Sequence, residues 1–102
     1  MIVRIWRGQA SNAKADAYVR HLTETVIPSL KALPGHCGAW VLRREVDGHT
    51  EFLAMTLWES LEAIQAFAGT NVDVANVESE ARAVLSDFDE FARHYEVAFK
   101  TP

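Results

Sequence analysis

One cysteine, Cys37, in 102 residues excludes an internal disulfide and a cysteine-built metal cluster. No nucleophile motif surrounds it, so it reads as a small buried hydrophobe. No apolar run approaches the roughly 18 residues of a membrane span, and the first residues lack the charged, apolar and small-residue blocks of a signal peptide. A cytoplasmic protein with no membrane partner is expected. Basic charge is also scarce: 10 Lys and Arg against 14 Asp and Glu give a net charge of −4. Arg43-Arg44 is the only adjacent Lys/Arg pair and Glu45 follows it at once, so nothing builds the basic surface that nucleic acid requires. His21, His36, His49 and His94 show no ligand spacing, and no metal site is expected.

What is present suits one soluble domain over residues 1–102, since 49% of residues are hydrophobic and 24% charged. "IVRIWRGQ" alternates Val3 and Ile5 against Arg4 and Trp6 and reads as a first strand. Ser11 or Asn12 can cap a helix with Tyr18, Leu22, Val26, Leu30 and Leu33 on its apolar stripe, bent or broken near Pro28. "CGAWVLRREV" and "TEFLAMTLWE" flank Asp47-Gly48, the pair that a two-residue hairpin turn prefers. That turn sets Val46 opposite His49, Arg44 opposite Glu51, Leu42 opposite Leu53, Val41 opposite Ala54 and Trp40 opposite Met55. Ser60 can start a second helix with Leu61, Ile64 and Phe67 inward, ended by Gly69. Asn76 or Ser79 can start a third, with Ala81, Val84, Leu85 and Phe88 inward, and Phe91–Phe99 closes the chain as a fourth strand.

The order strand, helix, strand, strand, helix, helix, strand is that of the split βαβ, ferredoxin-like α+β fold, an antiparallel sheet with its helices on one face. The hairpin has two apolar faces. Trp40, Leu42, Leu53, Met55 and Leu57 make a bulky one, which the helices cannot also cover and which is expected to meet a second copy of the chain. On the other, Ala54 and Thr56 are small between Phe52 and Trp58, which leaves room for a ligand beneath the helices.

"VLRREVDGHTEF", "TLWESLEAIQAFAG" and "FDEFARHYEV" together resemble the antibiotic biosynthesis monooxygenase family, most sharply at "LWES". The resemblance covers nearly the whole chain and implies a homodimer, a dimeric α+β barrel with one pocket per subunit between sheet and helices. Family members include cofactor-free oxygenases of quinols and anthrones, haem-cleaving enzymes, and proteins that isomerise or bind small metabolites. Trp58 matches a pocket tryptophan of several relatives; it could equally be a core aromatic at a strand end. Haem cleavers in the family also use a histidine after the helix that follows "WES" and an asparagine on the first strand. "AFAGTNVDVANV" has no histidine and "IVRIWRGQ" no asparagine.

The expectation is therefore a cofactor-independent monooxygenase of a small electron-rich aromatic or quinol. The alternatives are a ligand-binding or structural barrel without turnover, a metabolite isomerase and a haem-degrading monooxygenase. His94 is the candidate base, with Trp58 as the second catalytic residue. Arg4, Trp6, Phe52, Ala54, Thr56, Tyr18 and Phe67 are expected around the substrate. Arg4, on a central strand, must pair with a carboxylate such as Glu96 or of a partner chain, or face a cavity. His21, off the apolar stripe, and His49, at the turn, are expected in solvent.

Overall fold

Strand β2, His36–Val46, and strand β3, His49–Trp58, are joined by Asp47 and Gly48 at φ 50° and 79°, the positive values that a tight hairpin turn needs. The pairing runs Val46 to His49, Arg44 to Glu51, Leu42 to Leu53, Val41 to Ala54 and Trp40 to Met55, as the turn dictates. Glu51 accepts from Arg44 at 2.7 Å and from Arg7 of the neighbouring strand at 2.8 Å, so the expected cross-strand pair extends over three strands. The bulge between His36 and Gly38 turns Cys37 outward, and the cysteine is exposed rather than buried.

The computed structural model describes residues 1–102. Strand β1, Ile2–Ser11, pairs with β3 on one side and with two short strands, β4 at Asp87–Phe88 and β5 at Arg93–Glu96, on the other. All pairings are antiparallel, and the order β2-β3-β1-β4, with β5 beside β4 on the same edge of β1, is the ferredoxin-like order. The closing strand expected over Phe91–Phe99 is thus shortened to Arg93–Glu96, with β4 preceding it. Glu90 and Ala92 leave β1 to pair with the segment before α4: the Glu90 carbonyl accepts from Ala75 N–H at 2.9 Å, and Ala92 N–H donates to Asp73 at 2.8 Å.

The first helical segment begins with a tight turn at Asn12–Lys14 and continues as α1, Ala15–His21, a wide π turn at Leu22–Val26, and α2, Ile27–Lys31. Neither Ser11 nor Asn12 caps it through its side chain; Asn12 instead accepts from Thr50 at 2.8 Å. Pro28 cannot donate and crowds the carbonyl four residues before it, and the chain meets this by widening: Ile27 N–H reaches back to Leu22. Ser60 caps α3, Leu61–Ala68, by accepting from Ala63 N–H at 3.2 Å, and Gly69 ends it at φ 87°. Ile64 faces inward but Leu61 is exposed, so the buried stripe is narrower than expected. Helix α4, Ser79–Val84, stops when Leu85 turns extended, which sends Phe88 into β4 instead of the helix stripe.

Two apolar clusters fill the layer between sheet and helices. One joins Ala10, Ala15, Tyr18, Leu22, Phe52 and Ala81; the other joins Leu30, Trp58 and Ile64. On the opposite face of the sheet, Trp40 and Leu42 remain 45% and 47% exposed, Leu53 and Met55 are half-buried, and Leu57 is already covered within the chain.

Candidate functional site

The helix layer does not close completely over the middle of the sheet. A cavity of about 90 Å³ remains there. Arg4 and Trp6 of β1 and Ala54 and Thr56 of β3 form its floor. Tyr18, His21, Leu22, Val26 and Leu30 wall it from the first helical segment and Phe67 from α3, while Ala75–Glu78 and Ala81 close it from the side of α4. Most of this lining is apolar, so the few polar groups in it decide what it can hold.

Arg4 is the principal charge, only 5% exposed. Its guanidinium donates to the carbonyls of Val72 and, at 3.2 Å, Val74, and lies 5.7 Å from the centre of the Phe67 ring. Burial lowers its pKa from the usual arginine range and Asp73 partly offsets this; an arginine nonetheless stays protonated. Glu96, the carboxylate suggested from sequence, is not among its hydrogen-bond partners.

His94 is paired in register with Arg4, and its Nε2 lies 2.9 Å from Arg4 Nη1. Since arginine can only donate, Nε2 must accept, and the proton sits on Nδ1, 3.2 Å from the Asp73 carboxylate. Burial first and Arg4 second depress the His94 pKa, against the opposing pull of Asp73. His94 does not line the cavity, and its free lone pair is engaged by Arg4. The structure thus places His94, the base candidate from sequence, against Arg4 and Asp73.

Trp58 and Phe52 also stand outside the lining, each at 0% exposure. The Trp58 indole N–H donates to Thr56 Oγ1 at 2.8 Å, its ring stacks on Phe67 at 6.0 Å, and His36 meets its face edge-on at 5.0 Å. Trp58 thus buttresses two lining residues from beneath. Phe52 packs under Tyr18, ring centres 4.8 Å apart. Arg4, Trp6, Ala54, Thr56, Tyr18 and Phe67 are brought together around the one space. Burial raises the pKa of Tyr18 well above its usual value, so its phenol stays protonated and able to donate. Trp6 is held by an N–H bond of 2.7 Å to the Asp89 carbonyl, and its ring lies over Gly8, where a Cβ would come within 2.9 Å of it.

His21 is the residue that the sequence reading misplaced. Its side chain is 11% exposed and it lines the cavity, three positions from Tyr18 and next to Leu22. The signal was present, because i and i+3 share a helix face and an edge residue is buried when another element packs over it. Here α4 supplies that cover. His21, Glu78 and Glu80 bring ligand atoms within 4.8 Å of one another, but both carboxylates stand in solvent, and such groupings are common without an ion.

The family model for antibiotic biosynthesis monooxygenase matches residues 1–72. No curated protein matches the chain. Among solved structures, the fold is shared with the haem degrader MhuD of Mycobacterium tuberculosis, with two haems bound in its active site (24% identity, 100% of both chains, TM-score 0.65). It is also shared with the Streptomyces coelicolor monooxygenase from the gene ActVA-Orf6, in complex with nanaomycin D (16% identity, 99% of this chain and 90% of that one, TM-score 0.70). With the family model covering most of its length and these structures repeating its sheet and helices, the chain belongs to the antibiotic biosynthesis monooxygenase family.

Proposed function

We propose that this protein is a cofactor-independent monooxygenase of a small electron-rich phenol, quinol or anthrone. The observation that carries the reading is Arg4: a buried cation on the floor of an apolar cavity, which suits a substrate that ionises to a phenolate or enolate. Such an anion can itself reduce O₂. In the overall reaction of an anthrone, the CH₂ carbon becomes a carbonyl, one oxygen atom of O₂ stays on that carbon and the other leaves as water, with every electron supplied by the substrate. The protein's part is to bind the anion, orient it and exclude water.

Arg4 holds the developing oxyanion in this scheme, Thr56 and Tyr18 offer hydroxyl donors, and Trp6 and Phe67 sandwich the ring. His94 keeps Arg4 in position. A second copy of the chain covers Trp40 and Leu42, whose exposure on the outer sheet face supports a dimer. Haem cleavage has less support: residues 66–77 contain no histidine and β1 contains no asparagine.

The test is O₂ uptake by the purified protein with a panel of naphthols, quinols and anthrones, in the presence of chelator and without flavin. Substrate-dependent uptake is expected, and Arg4→Met should lower kcat/KM about ten- to a hundredfold, the value of a charge-assisted hydrogen bond. Saturable binding of these compounds with no uptake would leave a ligand-binding protein in place of an oxygenase.

A further inference from the structure

The two ring nitrogens of His21 have different surroundings. Its Nδ1 faces the Glu80 carboxylate at 3.5 Å, while Nε2 is buried and has no hydrogen-bond partner. A buried imidazole nitrogen without a partner is unfavourable unless something transiently occupies it. The imidazole borders the same cavity as Arg4 and Tyr18. A carboxylate that orients one imidazole nitrogen leaves the other as a proton acceptor, and it stabilises the imidazolium that forms.

We infer that His21 is the general base of this site and Glu80 its positioning partner: Nε2 takes the hydroxyl proton of a phenolic substrate whose oxygen then lies against Arg4. The inference rests on the oxygenase reading above and deepens it. In the step, the substrate O–H bond breaks, an Nε2–H bond forms, and the electron pair stays on the substrate oxygen as the phenolate. The new positive charge on the imidazole is met by Glu80, with Glu78 beside it on the same edge of the cavity and Arg4 on the sheet floor. His94 cannot take this part, because Arg4 already donates to its Nε2.

Deprotonation can be read without turnover. 4-Nitrophenol absorbs in the visible only as the phenolate, so at a pH below its own ionisation a bound molecule reports whether its proton has been taken. Wild-type protein titrated with this probe should develop the phenolate band. His21→Gln, similar in size, should bind the probe without the band and lose about a hundredfold or more in turnover of an oxidisable naphthol. Glu80→Gln should weaken both, and Glu24→Gln, an exposed change elsewhere on the same helical segment, should alter neither. Added imidazole should restore part of the turnover of His21→Ala, which a purely structural role would not permit.

A phenolate band that persists in His21→Gln overturns the assignment, as does the absence of the band in saturated wild-type protein. A band in the wild type, lost in His21→Gln, without O₂ uptake by any substrate would instead defeat the oxygenase reading and leave the base standing.

Discussion

Thr56 accepts from the Trp58 indole, which leaves its own hydroxyl proton free for a ligand. Trp58→Phe removes that donor and some buried volume, and a loss of about 1–3 kcal/mol is expected in urea denaturation. An unchanged midpoint would show that the indole does not brace Thr56. His94 carries a prediction in pH. Its folded pKa is depressed, so between that value and the unfolded value near 6.5 the unfolded chain binds more protons. Stability is then complete above about pH 6.5 and declines as pH falls through this window toward the folded pKa. His36, also depressed by burial and by Lys31, adds to the same slope. His94→Gln should remove part of the slope in pH-dependent chemical denaturation, whereas an identical slope would contradict a depressed His94 pKa. The surroundings of His94 and His21 were not legible in sequence for a common reason. Each depends on an element brought from elsewhere in the chain, β1 beside His94 and α4 over His21, and no local pattern fixes either packing.

Between α3 and α4, residues 69–78 cross the cavity on contacts to other elements. Arg4 grips the carbonyls of Val72 and Val74, and Ala75 N–H and the Asp73 carbonyl pair with residues 90–92. A cavity of about 90 Å³ lies below the roughly 150 Å³ of an engineered cavity that admits benzene, so an aromatic substrate requires this segment to yield. Arg4→Met should therefore speed hydrogen exchange at the amides of Ala75 and Ala92, while exchange in the β2–β3 hairpin stays constant. Equal protection in both proteins would show that the arginine does not tether the segment. The hairpin itself was readable because Asp47-Gly48 demands positive φ, and one turn then fixes a whole register. Gly48→Ala, at φ 79°, should cost about 1–2 kcal/mol. The closing strand had no such turn, and the competing pairing of residues 90–92 with 73–75 shortened it at its start.

Across the whole molecule, the sheet is the divider: a small apolar cavity on one face, and a partly exposed apolar surface on the other. Alternation in β3 revealed that division, since Ala54 and Thr56 lie on one face of it and Leu53 and Met55 on the other. Leu57 departs from the pattern because the chain already covers it. If the outer face joins two copies, the 11.4 kDa chain sediments at about twice that mass, and Trp40→Glu shifts it to the monomer. A wild-type monomer at micromolar concentration would contradict the dimer. Oxygen isotope labelling follows the fate of each atom of O₂. With ¹⁸O₂ and an anthrone, in chelator and without flavin, the expected product is a quinone carrying one heavy oxygen, with the other in water. An unlabelled product, peroxide in place of water, or no turnover with any electron-rich aromatic would contradict it.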